Sequence, residues 1–171
     1  VMQFLGHNGI PAPKLRDALL SITDVEIAHA EVINAMKIFY NECHLVHGDL
    51  SEYNILWHDK QCWFIDVSQS VEPNHPHGLE FLMRDCTNIS MFFDRLGAKN
   101  NLPPHKLFTD ITGLPISEAT ETEILTQIHD YERNEDILSR MSASEKLNTF
   151  DYCWERSKTV SSNKASSMPI P

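Results

Sequence analysis

Two short β-rich runs, Tyr53-Asn54-Ile55-Leu56-Trp57 and Cys62-Trp63-Phe64-Ile65-Asp66-Val67, stand on either side of the polar spacer His58-Asp59-Lys60-Gln61. Runs of this kind joined by a four-residue loop predict an antiparallel hairpin. With the hairpin centred on Asp59-Lys60, the start of the first strand faces the end of the second. Asn54 is therefore predicted beside Asp66 at the open end.

Around this hairpin the chain reads mainly as helix. Val1 to Leu5 alternates as a strand and then breaks at Gly6, Gly9, Pro11 and Pro13 into an extended connector. Thr23-Asp24-Val25-Glu26 has the T-x-x-E form of a capping box, and Val25, Ala28, Val32, Ala35, Met36 and Phe39 follow at helical spacing. A long amphipathic helix to about Cys43 is predicted. A second is predicted from Leu79 to Leu96, with Leu79, Leu82, Met83, Cys86, Ile89 and Phe93 on its apolar face and Gly97 as its stop. After a turn-rich break to Pro104, Leu107, Phe108 and Ile111 predict a short helix, and Ile124, Leu125 and Ile128 another over Glu118 to Asp136. From Ser157 apolar content falls, which predicts a mobile tail. Trp57, Trp63, Phe92 and Phe93 are expected to pack in the core.

Charge and composition exclude several functions. At 42% hydrophobic and 22% charged residues, the 171-residue chain has material for a packed core. Its 14 Lys and Arg against 24 Asp and Glu give a net charge of −10, which opposes nucleic-acid phosphate over the surface as a whole, so any RNA contact must be local or assisted by protein. No run approaches the roughly 20 apolar residues of a membrane span, and an intracellular, cytoplasmic protein without a membrane partner is expected. Cys43, Cys62, Cys86 and Cys153 form no C-x-x-C pair and are expected as buried thiols. His75-Pro76-His77 is expected to be solvated rather than to bind zinc.

The chemistry gathers in Leu45-Val46-His47-Gly48-Asp49-Leu50-Ser51-Glu52-Tyr53-Asn54, where H-x-D precedes the hairpin and Asp66 closes it. An amide oxygen from Asn54 and a carboxylate from Asp66 are the hard donors that Mg²⁺ accepts, the rest of its shell going to water and phosphate. Asp49, on the loop before the strand, is placed to accept or orient the proton of an attacking hydroxyl. That is a layout for phosphoryl transfer.

The H-x-D-x-x-x-x-N of His47, Asp49 and Asn54 resembles the catalytic loop of the protein-kinase superfamily. More narrowly, His47 through Asn54, Ile65-Asp66-Val67-Ser68-Gln69-Ser70-Val71, His75 through Leu82 and Arg84-Asp85-Cys86 resemble the RIO kinases. Trp57-His58, Glu72-Pro73 and Gly9-Ile10-Pro11-Ala12-Pro13-Lys14-Leu15 look most like the third animal subfamily. The resemblance implies an α+β, mainly α fold of the kinase large-lobe type, with a hinge and connector over 1–15, the lobe over 16–156, a flexible tail over 157–171 and no small lobe.

It implies Asp49 as catalytic base, Asp66 and Asn54 as metal ligands, and His47 as a brace. Gln3, Leu5, Ser51, Asn54, Leu56 and Ile65 fall around the nucleotide, with backbone groups of Gln3 and Leu5 as the hinge contacts to adenine. ATP and Mg²⁺ are the implied cofactors. Asp66 is also implied as acceptor of the terminal phosphoryl group in an ATPase-like cycle linked to small ribosomal subunit maturation, with a preribosomal particle or its proteins as partners.

Ser51 stands where many Ser/Thr kinases carry a lysine, and Val67-Ser68 follows Asp66 in place of F-G, with no A-P-E after it. The six glycines never form G-x-G-x-x-G, and no V-A-I-K precedes the loop, so weak or absent activity is expected of the chain by itself. Two other readings fit less of the sequence. A small-molecule phosphotransferase of the aminoglycoside or choline kinase type shares H-G-D-L but usually follows its metal aspartate with an aromatic residue. A non-catalytic interaction module would keep the same residues idle.

Overall fold

The computed structural model describes residues 4–117 and 120–140. Residues up to Glu132 belong to one compact unit; Arg133 opens a second, of which residues 133–140 are described as helix. Val1 to Gln3, Cys153 and the expected tail lie outside the described residues.

The expected connector folds on itself. Gly6–His7 (β1) and Ile10–Pro11 (β2) pair antiparallel across Asn8 and Gly9, both at positive φ (52° and 78°). These two residue types tolerate that region, so the punctuation read as an extended segment instead makes a two-residue turn.

Helix α1 (Ile22–Asn41) starts at Ser21 rather than Thr23. The Asp24 carboxylate accepts from the Ser21 N–H (3.2 Å) and hydroxyl (2.6 Å), and the Asp24 N–H donates back to the Ser21 oxygen. Glu26, the expected partner of Thr23, instead accepts the Lys99 N–H at 3.0 Å. A tertiary contact thus decides between two overlapping capping boxes. One face of α1 buries Val25, Ala28, Val32 and Met36.

The hairpin forms as Ile55–His58 (β3) and Gln61–Phe64 (β4), with Ile55 opposite Phe64 and His58 opposite Gln61. The four-residue loop therefore tightens to the two residues Asp59 and Lys60, at φ 50° and 60°. Register sets two faces. Ile55, Trp57, Cys62 and Phe64 turn to the core, and Leu56 and Trp63 lie on the other side, where Trp63 is 37% exposed rather than buried.

Helix α2 (Gly78–Arg95) buries Leu79, Leu82, Met83, Cys86, Ile89 and Phe93, the face expected from its spacing. Its first N–H groups find an acceptor in the chain's distant acidic helix: Glu132 accepts from Leu79 (3.1 Å) and Glu80 (3.2 Å). Helix α3 (Pro104–Thr112) packs on both α1 and α2. Helix α4 (Glu121–Arg140) begins after a Thr120/Glu123 capping box, later than Glu118, and Ile128 is fully buried. Cys86 is buried as expected, Cys62 is half-buried, and Cys43, just past the end of α1, is exposed.

Candidate active site

The segment joining α1 to β3 dips into the core between Val46 and Leu50. Val46 exchanges N–H···O bonds with Val71 at 2.8 and 3.0 Å, and Val46, His47, Gly48 and Leu50 are buried while Asp49 is exposed. The clamp comes from α2. The two oxygens of Asp85 accept the N–H groups of Gly48 (2.8 Å) and Leu50 (2.9 Å), the residues on either side of Asp49. Arg84 donates to the Gly48 carbonyl, and the Asn88 amide donates to the Leu50 carbonyl at 3.1 Å. Gly48 sits at φ 78°, and a Cβ there would lie 2.6 Å from the Gln69 carbonyl oxygen, so both conformation and space require glycine.

His47 ties this loop to the hairpin. Its Nε2 lies 3.2 Å from the Ile65 carbonyl, and because a carbonyl only accepts, the ring proton is on Nε2. Asn54 makes the second tie: its carbonyl accepts the Ile65 N–H (2.9 Å), while its amide nitrogen donates to the Asp49 carbonyl (2.8 Å) and carboxylate (3.0 Å). With both amide protons given to Asp49, Oδ1 is the group Asn54 has left to offer.

Asp66 follows Ile65 in the left-handed region (φ 60°, ψ 61°), sparsely populated by residues other than glycine. The Ser68 hydroxyl donates to its Oδ1 at 2.8 Å. The kink turns the chain into a short 3-10 turn, Val67–Gln69, whose last carbonyl abuts Gly48. Loop, hairpin end and kink are thus one connected backbone unit.

Residues 1–106 match the family model for the RIO domain. Serine/threonine-protein kinase RIO3 from Bos taurus is 51% identical over 141 residues, 82% of this chain and 27% of that protein. RIO3 from Homo sapiens is 50% identical over the same length, and RIO1 from Caenorhabditis elegans is 47% identical over 127 residues, 74% of this chain and 25% of its own. The chain belongs to the RIO family. It spans about a quarter of the length of these relatives, and the likeness to the third animal subfamily read from Trp57-His58 and Glu72-Pro73 agrees with the RIO3 matches.

Within this RIO domain the structure brings Asp49 and Asn54 into direct contact and sets Asp66 one residue beyond the position that both His47 and Asn54 hold. Asn54 and Ile65 continue the strand register beyond the Ile55–Phe64 pair, which places them on the face of Leu56 and Trp63, away from the core. Ser51 lies inside the loop, its hydroxyl accepting the Tyr53 N–H at 3.4 Å and its carbonyl the Asn54 N–H at 3.0 Å. The Leu5 carbonyl accepts the Ala12 N–H at 2.9 Å. Gln3 lies outside the described residues.

The residue that sequence reading missed is Asp85, noticed only as part of a family-like string. It carried a signal: a carboxylate between Leu82 and Ile89 on an apolar helix face must be paired once buried. Burial pushes its carboxyl up to about 6 from 3.8, opposed by the Leu50 and Gly48 N–H groups and by His47 and Arg84. A folded value above the ordinary one means that the native state holds the proton more tightly. This group therefore withdraws stability as pH rises from about 4 through 6, and the clamp is ionised above that window.

Proposed function

We propose that this RIO domain carries the catalytic loop and metal-holding residues of ATP-dependent phosphoryl transfer, with Asp49 as catalytic base and Asn54 and Asp66 as Mg²⁺ ligands. The observation that carries the reading is the Asn54–Asp49 contact on a loop where only Asp49 reaches solvent between Val46 and Leu50. The donor set fits the ion. Asn54 offers an amide oxygen and Asp66 a carboxylate oxygen beyond the one bound by Ser68, both hard ligands of the type Mg²⁺ takes from protein. When bound, the ion supplies positive charge against the phosphate oxygens.

The chain's own groups do the rest. The Asn54 amide holds one oxygen of Asp49 and leaves the other to take the proton of an acceptor hydroxyl. Asp85 and Arg84 keep the loop backbone from shifting as charge develops beside it. Leu56 and Ile65 present an apolar floor to the adenine. A water or protein hydroxyl serves as acceptor, and Asp66 itself is the alternative: its exposed carboxylate oxygen forms the new P–O bond as ADP leaves, and water then cleaves the acyl phosphate. Cytoplasmic maturation of the small ribosomal subunit, on a preribosomal particle, is the process the family likeness suggests. Among the described residues no helix is long and apolar enough to cross a membrane.

The test is release or transfer of γ-labelled phosphate by a polypeptide in which this segment follows a RIO small lobe. Turnover that requires Mg²⁺ and stops with EDTA is the expected result, and hydroxylamine-labile label on the protein that is lost in Asp66→Asn would identify Asp66 as acceptor. ATP turnover absent under all metal conditions, with partner binding indifferent to nucleotide, would instead make the domain an interaction module.

A further inference from the structure

A second group of metal-type donors lies at the far end of the hairpin from Asp66. His7 Nε2 is 3.1 Å from Asp59 Oδ1, and His58 Nε2 is 3.4 Å from Asp59 Oδ2; the three residues can place one ligand atom each within 4.8 Å of one another. The imidazoles lie 4.7 Å apart between ring centroids, tilted at 48°. Four-coordinate Zn²⁺ with bonds of about 2.0–2.2 Å spaces its ligand atoms by about 3.3–3.6 Å, so only small side-chain rotations separate these donors from a shared ion.

The scaffold fixes the donors in advance. Asp59 is held beside His58 by the tight turn that pairs His58 with Gln61, and the His58 side chain is only 15% exposed. His7 is fixed by pairing with Ile10, and the chain leaving that ribbon is bonded to the hairpin: the Trp57 N–H donates to the Pro13 carbonyl at 2.9 Å, and Lys14 bridges to Leu56. Among the described residues no lysine or arginine pairs with the Asp59 carboxylate, and Lys60, the next residue in the turn, directs its amine to Asp24 at 3.8 Å.

We propose that His7, His58 and Asp59 form a binding site for one divalent transition-metal ion of the Zn²⁺ class, with a fourth position for water or a partner's ligand. Two imidazole nitrogens and one carboxylate suit Zn²⁺, Ni²⁺ or Cu²⁺, whereas Mg²⁺ prefers an all-oxygen shell. The ion would staple the amino-terminal ribbon to the tip of the hairpin whose other end carries the candidate active site. Residues separated by 52 positions in the chain would then be joined at one point.

The experiment uses the tag-free chain, stripped of metal and titrated with Co²⁺ and then Zn²⁺. One equivalent of Co²⁺ giving visible d–d bands, displaced by micromolar Zn²⁺, is expected. His7→Ala and Asp59→Asn should each weaken binding by about 100-fold or more, since loss of even an outer partner of a metal ligand costs about 10- to 100-fold. Both sites are largely exposed, and unchanged circular dichroism will show that the variants fold. A His75→Ala/His77→Ala double variant, which removes the chain's other close histidine pair, should bind as wild type. Absence of micromolar binding, binding unchanged in His7→Ala, or loss in the His75/His77 variant would overturn the assignment.

Discussion

Asp49→Asn, in a polypeptide that joins this domain to a RIO small lobe, is expected to lower phosphate turnover by about 10²- to 10⁴-fold with little change in Mg²⁺-dependent ATP affinity. The substitution keeps size and shape and leaves the Asp85 clamp intact, because the clamp grips the backbone of Gly48 and Leu50 rather than the Asp49 side chain. Asp49 is exposed, so no core packing is lost. What disappears is the ability to take a proton. Steady-state turnover together with ATP titration separates the two effects, and equal turnover in wild type and variant would remove Asp49 from the chemistry.

Asp66→Ala is expected to abolish the difference between ATP affinity with Mg²⁺ and with EDTA, and to lower turnover by at least about 10²- to 10³-fold. Alanine at φ 60° also lacks the short polar side chain by which Asp and Asn tolerate the left-handed region, so the variant tests backbone and ligand together. Asp66→Asn separates them. Asparagine tolerates the left-handed region yet has lost the negative charge, so a metal-binding role makes both variants defective, whereas a purely conformational role spares the asparagine variant. Metal-dependent affinity surviving in Asp66→Ala would contradict the assignment.

The parts of the fold legible from sequence are those set by local patterning. The apolar face of α2, the stop at Gly97 and the short helix around Leu107, Phe108 and Ile111 follow from spacing and punctuation, and the structure reproduces them within a few residues. The hairpin was legible as well, because the offsets between Asn54, Asp59-Lys60 and Asp66 leave little freedom of register. What was not legible depends on distant contacts. Ser21 rather than Thr23 caps α1 because Glu26 is engaged by Lys99, 73 residues away. Trp63 is exposed because register assigns it to the face opposite Ile55.

The candidate site divides in the same way. Asp49, Asn54 and Asp66 stand out because their residue types and offsets point to one chemistry, whereas the contact of His47 Nε2 with the Ile65 carbonyl is visible only in the fold. Asp85 escaped because its partners lie 35 and 37 residues earlier, and only folding shows which backbone groups a buried carboxylate serves. The ribbon that carries His7 escapes because Gly6, Gly9, Pro11 and Pro13 read as connector punctuation, whereas the structure makes Asn8-Gly9 the turn of a second hairpin.

Sharing of one ion by Asn54 and Asp66, within reach of Asp49, can be observed directly by adding Mn²⁺·ATP to the ¹⁵N-labelled chain and following paramagnetic broadening of its amide signals. The expected result is selective loss of signal from Gly48 to Leu50, from Asn54 and from Ile65 to Ser68, abolished by Asp66→Ala. Broadening confined to His7, His58 and Asp59, or spread over the surface with the signals of Asn54 and Asp66 intact, would mean that the loop and the hairpin end do not form a common metal–nucleotide site.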